Sequence, residues 1–224
     1  MWRLVLKLYL RDMNVDLQGV AIFLLVFLFS MSVHEMMHAF AADYLGDDTA
    51  RLQGRRTLNP ISHIDPLFTL ALPLILFLTH SSVLFGAAKP VQVNFYRLRH
   101  HHYGGAIVGI VGPLTNLFIA CLAALLFRHI NPAVGSNLYG AFAIAISLNI
   151  GLFIFNSIPW PPLDGSRLLY AFAPQPLQNL MESIERMGML SIVILIFLVY
   201  PLVQGPLANI YQDLIHALAP GLIL

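Results

Sequence analysis

Charge is scarce in this sequence: only 10% of its 224 residues are Asp, Glu, Lys or Arg, while 58% are hydrophobic. A soluble globular chain carries about a quarter charged residues, so that class is excluded and a chain dissolved in lipid is expected. Cysteine is scarcer still. Cys121, the single one, lies in an apolar run, which excludes an internal disulfide and a cysteine-based metal cluster. A metal site has to be built from His, Asp or Glu. An excess of one charge sign is also missing, with twelve Lys and Arg against eleven Asp and Glu and the basic residues scattered. That leaves no electrostatic footprint for nucleic acid. There is no internal repeat and no low-complexity linker.

What is present is apolar length. Residues 19–42, 67–85, 104–127, 138–158 and 189–203 form hydrophobic stretches, each near the roughly 20 residues that cross a hydrocarbon core as a helix. The first follows Arg3, Lys7 and Arg11 in the manner of a signal peptide. The nearest small-residue site, residues 39–42, falls beyond the histidines described next, so the stretch is read as a retained helix. The polar connections 43–65, 86–103 and 159–186 are too short for a separate domain of about 50 residues. Residues 1–224 are therefore read as a single integral-membrane domain. Apolar and polar residues alternate from Pro90 to Tyr96, which predicts an edge strand near the membrane surface. Residues 205–224, with Pro206, Pro220 and isolated polar residues, suit an interfacial helix.

His34-Glu35-Met36-Met37-His38 is an HExxH motif inside the first stretch. On a helix the i, i+4 spacing puts both imidazoles on one face, about 5–6 Å apart at Cβ, where they can grip one zinc ion. Glu35 is rotated off that line yet within reach of a water on the metal, as its general base. In a soluble protein the motif is only moderately specific. Within an apolar span each charged group costs about 2.5 kcal/mol or more if unused, and ionisable residues there mark functional sites. The structural reading, two histidines hydrogen-bonded across a bundle, is the weaker one.

A catalytic zinc needs a third protein ligand, and no Glu or His behind His38 has the usual spacing. Asp164 is the best candidate. It follows an apolar stretch broken by Pro159, Pro161 and Pro162, and an unwound turn there can aim a carboxylate inward. Taken alone, Asp164-Gly165 reads more readily as an ordinary surface turn than as a ligand.

With these residues in view the chain resembles the site-2 protease family of intramembrane zinc metalloproteases, in its minimal bacterial and archaeal form without a PDZ domain. The likeness runs from about Val33 to Leu169. HExxH, Gly112-Pro113-Leu114-Thr115-Asn116 and Phe155-Asn156-Ser157-Ile158-Pro159-Trp160-Pro161-Pro162-Leu163-Asp164-Gly165 occur in the family's order, and residues 54–66 and 88–91 are similar to its connecting loops. The resemblance implies His34, His38 and Asp164 as ligands of one zinc ion per chain and Glu35 as the base. No catalytic position departs from the pattern.

Asn116 and Asn149 lie inside apolar stretches and Asn156 at the end of one, each with an amide that must find a partner. Asn116 or Asn156 holds substrate backbone or an oxyanion, or these amides bridge helices; both readings stay open. Gly104, Gly105, Gly109 and Gly112 form a small-residue face suited to close helix packing. His100, His101 and His102 are consecutive and do not converge, so they read as an interfacial cluster. His63 and Asp65 are weaker candidates for a loop or lid role.

The ligands also constrain topology. His34 and His38 lie late in the first stretch and Asp164 follows the fourth, so those two helices must run in the same direction. Residues 67–85, interrupted by Pro73 and by Thr79-His80-Ser81-Ser82, are therefore expected to re-enter or lie at the interface. The expected fold class is an all-α polytopic membrane protein with about four transmembrane helices, that re-entrant or interfacial segment, and a short membrane-associated β element. One side then receives Arg51, Arg55, Arg56, Lys89, Arg97, Arg99, Arg167 and Arg186, and the other Arg3, Lys7, Arg11 and Arg128. The positive-inside rule puts the site near the cytoplasmic face, in the plasma membrane of a prokaryote. The expected activity is hydrolysis of a peptide bond in a transmembrane segment of a membrane-protein substrate, with the lipid bilayer as the medium and β-augmentation on residues 91–93 receiving the unwound segment. The alternative of a membrane di-iron oxidase or desaturase is weaker, because this sequence lacks the further convergent His pairs a two-iron site needs. A metal or proton transporter would call for an inverted repeat and ionisable groups spread along a route.

Overall fold

The computed structural model describes residues 17–66, 69 and 89–223. Helix α1 spans Leu17–Tyr44, the one-turn α2 Thr49–Leu52, α3 His101–Ile130, α4 Asn137–Asn156, α5 Gly165–Phe172, α6 Gln175–Arg186, α7 Met189–Ile194 and α8 Tyr200–Leu218. A 3-10 turn, Pro60–His63, packs on α1, and a π-helical stretch, Leu195–Val199, joins α7 to α8. Among the described residues four helices are long and apolar enough to cross a membrane: Gln18–Tyr44, His101–Ile130, Asn137–Asn156 and Leu190–Leu218. The protein is a multi-pass helical membrane protein.

Where lipid is as apolar as leucine, helices associate through small residues and polar links. Ala120, Ala123 and Ala124 of α3 let α4 approach, and Phe127, Tyr139, Ile146, Ile150 and Ile154 fill the seam together with Tyr211 and Ile215 of α8. Asn131, in the left-handed region at φ 48°, closes α3 through its N–H on the Phe127 carbonyl, and the Ser136 hydroxyl caps α4 by accepting from the Tyr139 N–H. This short turn makes α3 and α4 antiparallel.

α1 is antiparallel to α3 as well, since Val108 and Gly112 of α3 meet His38, and Asn116, further along α3, meets the earlier His34. Helices α1 and α4 therefore run in the same direction, as the ligand positions require. The ends of the intervening connection lie together: the Arg99 N–H donates to the Leu45 carbonyl at 2.8 Å, and the buried Asp47 carboxylate accepts from the Asn94 N–H at 2.6 Å and the Thr49 N–H at 3.1 Å. The expected re-entrant segment, residues 67–85, lies outside the described residues apart from Thr69.

Two expectations are corrected. Among the described residues there is no strand, and residues 91–94 form no ladder. Their amides go elsewhere, Val91 N–H to the Glu35 carboxylate at 3.2 Å and Asn94 N–H to Asp47. Val93 and Phe95 pack on the cluster of Ala41, Ala42, Leu98 and Val108, so the alternation records one buried face against helices. Residues 205–218 are not an interfacial helix but the continuation of the last span, with Tyr211 and Ile215 in the core. Pro201 lacks an N–H and its ring crowds the carbonyl four residues back, which widens the preceding turn into the π-helical stretch without ending the helix.

Candidate metal centre

His34 and His38 sit on one face of α1, 2% and 6% exposed. Their rings meet edge to face with centroids 4.6 Å apart, and the two Nε2 atoms are 3.0 Å apart. Asp164 reaches them from the other side, its Oδ2 lying 3.1 Å from His34 Nε2 and 3.3 Å from His38 Nε2. Zinc bonds of about 2.0–2.2 Å in a tetrahedron separate ligand atoms by about 3.3 Å, so the three donor atoms fit one ion. They are the metal-ligand group found among the described residues.

The turn that carries Asp164 is built by the prolines after α4. Trp160 N–H donates to the Ile158 carbonyl and Leu163 N–H to the Trp160 carbonyl, both at 2.8 Å. The Trp160 indole N–H donates to Ser191 Oγ at 3.1 Å, and Ser191 Oγ donates to the Pro161 carbonyl. Ile158 and Leu163 pack on Leu195, so the last span buttresses the turn. Gly165 is required because a Cβ there would lie 2.3 Å from the Ser157 carbonyl oxygen. Asp164 then opens α5. Its carboxylate, about one quarter exposed, faces the two imidazoles and completes a donor set of two nitrogens and one oxygen. Three residues on, the Arg167 guanidinium pairs with Glu185 through both nitrogens and lies 4.6 Å over the Phe95 ring.

The rings are oriented from behind. His38 Nδ1–H donates to the Val108 carbonyl at 2.7 Å and His34 Nδ1–H to Asn116 Oδ1 at 2.6 Å, leaving Nε2 free in each. Asn116 is fully buried, its Oδ1 facing His34 and its Nδ2 donating to Asn149 Oδ1 at 2.9 Å. Asn156 is half-buried at the end of α4, with its Nδ2 donating to the Leu152 carbonyl at 3.0 Å. Glu35 is 7% exposed, and its carboxylate accepts from Val91.

The glycine face of α3 does more than pack. A Cβ at Gly112 would fall 2.3 Å from His38 Nε2, and one at Gly109 would fall 2.8 Å from the Asp164 carbonyl oxygen. Gly112 and Asn116, at i and i+4, share the face that meets the histidines, a spacing already visible in the sequence. The Val108 carbonyl carries no such signal. His100, His101 and His102 are exposed and stand apart from the donor set; the His102 ring meets that of Tyr170 at 5.3 Å. His63 is buried, with Nε2 2.8 Å from the Thr57 carbonyl, and joins no metal-ligand group among the described residues.

No family model and no solved structure matches the chain. Curated relatives do. The "Putative zinc metalloprotease YwhC" of Bacillus subtilis is 38% identical over 194 residues, 82% of this chain and 84% of that protein. The "Putative zinc metalloprotease Rip2" of Mycolicibacterium smegmatis is 28% identical over 183 residues, 80% of this chain and 69% of its own length. Rip2 of Mycobacterium tuberculosis is 30% identical over 138 residues, 62% of this chain and 52% of its own. Zinc suits a donor set of two imidazoles and a carboxylate, and the relatives' shared name carries the same metal. With that likeness over most of both chains, this protein belongs to the site-2 protease family of zinc metalloproteases.

Proposed function

We propose that the protein is an intramembrane endopeptidase, hydrolysing a peptide bond within the transmembrane segment of a membrane-protein substrate, as in regulated intramembrane proteolysis. The observation that carries this reading is the depth of the donor set: His34 and His38 lie well inside a membrane-length helix, with α3 packed over them. A substrate already in lipid meets such a site. We take residues 1–224 as one catalytic unit.

In this reading His34, His38 and Asp164 hold the metal and Glu35 is the general base. Zinc held there supplies Lewis-acid polarisation of the scissile carbonyl and acidifies water. The Glu35 carboxylate takes a proton from the attacking water and returns it to the amide nitrogen as the C–N bond breaks. Water is thus added across the bond, with no covalent link to the protein. The Val91 N–H holds that carboxylate in place. A helix hides its carbonyls in its own hydrogen bonds, so the substrate must unwind first. Asn156, beside the ligand-bearing turn, is assigned to the unwound backbone or the oxyanion. Eight of the twelve basic residues lie on the connections at this end of the bundle, which supports a site near the cytoplasmic side of a prokaryotic plasma membrane.

The test compares wild type with Glu35→Gln on single-span proteins in reconstituted bilayers. Cleavage is expected to fall about a thousandfold while zinc stays bound at one per chain. Equal cleavage by both forms refutes the mechanism.

A further inference from the structure

Both histidines must present a bare Nε2 to the metal, so each must carry its proton on Nδ1. For His38 this is decided locally, because Nδ1 faces the Val108 carbonyl at 2.7 Å, a group that only accepts. For His34 the neighbour is the carboxamide of Asn116, which offers an acceptor or a donor according to which way it is turned. Asn116 alone fixes nothing. Its other end meets a second carboxamide, Asn149, also fully buried.

The ambiguity ends at Asn149. Its Nδ2 lies 2.9 Å from the Ala145 carbonyl and 2.9 Å from Ser30 Oγ. A backbone carbonyl cannot donate, so the amide nitrogen must be the group facing Ala145, and Asn149 Oδ1 must face Asn116. That oxygen draws Asn116 Nδ2 to 2.9 Å, which turns Asn116 Oδ1 toward His34 Nδ1 at 2.6 Å. Each link permits one orientation of the next.

We infer that Asn149 and Asn116 form a polarity relay that selects the tautomer and ring orientation of His34, with its direction set by the Ala145 carbonyl. Asn149 is a positioning residue for the metal site although Asn116 stands between it and the ring. The inference rests on His34 being a metal ligand. It also accounts for two carboxamides at a depth where leucines would pack equally well.

The test is chelator competition for zinc on the purified full chain, with thermal unfolding of the metal-free form alongside. Asn149→Leu is expected to lower zinc affinity about tenfold or more with little change in metal-free unfolding. Asn116→Asp offers His34 an acceptor whichever way it is turned, so Asn149→Leu should have no further effect in that background. Affinity within about twofold of wild type for Asn149→Leu, or an equal loss in both backgrounds, overturns the relay. If Asn149→Leu does not fold, Asn116→Leu against Asn116→Asp decides: a ten- to hundredfold loss for Leu alone is expected, and equal affinities overturn it. His34→Ala separates the two claims. Undiminished zinc binding in that variant refutes the ligand reading, whereas loss of zinc there with wild-type affinity in Asn149→Leu refutes only the relay.

Discussion

Gly112→Ala tests the centre with the smallest change a side chain allows. The added Cβ would lie 2.3 Å from His38 Nε2, 2.6 Å from His38 Cε1 and 2.7 Å from His34 Cε1, where ordinary contact begins near 3.4 Å. His38 must retreat by about 1 Å, and its far side is pinned to the Val108 carbonyl as His34 is pinned to Asn116. The rings cannot swing without giving up those bonds, whereas metal–ligand distances tolerate only about 0.2 Å. Disturbing the groups that orient metal ligands costs about ten- to hundredfold in metal affinity, and with both rings pressed we expect the upper end, about 2.8 kcal/mol, in zinc affinity by chelator competition. Alanine in place of glycine favours a helix by about 1 kcal/mol, which works against loss of fold. The metal-free protein should therefore unfold within a few degrees of wild type. Zinc affinity within about threefold of wild type in Gly112→Ala would show that the rings are not held as described.

Two further outcomes follow from the same geometry. Dialysis against a strong chelator should abolish proteolysis, and about one equivalent of zinc should restore it in wild type but not in Asp164→Ala, which lacks the third donor; zinc-restored activity in that variant would remove Asp164 from the site. In a Cys121→Ser background, a cysteine at Arg128 should react with a membrane-impermeant maleimide added to intact cells, while one at Arg56 should react only after permeabilisation, because the positive-inside rule puts Arg56 in the cytoplasm. The opposite labelling pattern would overturn the assigned orientation.

The two imidazoles of the donor set were legible because lipid makes their chemistry conspicuous, whereas Asp164 was carried by the family resemblance. His34, Glu35 and His38 stand in a stretch where ionisable groups are costly, and the proline-broken turn at Asp164 could aim inward only if helices α1 and α4 ran in the same direction. The amides were visible but their partners were not, since an Asn side chain offers a donor and an acceptor and only its neighbours decide the order. The edge strand failed for a different reason. Alternation reports that one face is buried, and for Val93 and Phe95 the covering surface is helical. Pro206, Pro220 and the isolated polar residues around them suggest the end of a span, yet Tyr211 and Ile215, at i and i+4, place the second half of this helix in the core.

The parity of the helices links topology to chemistry. α1 descends to the site, α3 leaves it and α4 returns to it, so a ligand near the C-terminal half of α1 and another just after α4 reach the same depth. That works only if the connection between α1 and α3 ends on the side where it began, and the Arg99 N–H on the Leu45 carbonyl makes that so. The same return brings Val91 onto Glu35. A single crossing inserted into that connection would carry α3 and α4 to the opposite orientation and put Asp164 on the other face, about 30 Å of hydrocarbon away. The connection is thus a condition of the metal site, because it determines on which side of the membrane the third ligand arrives.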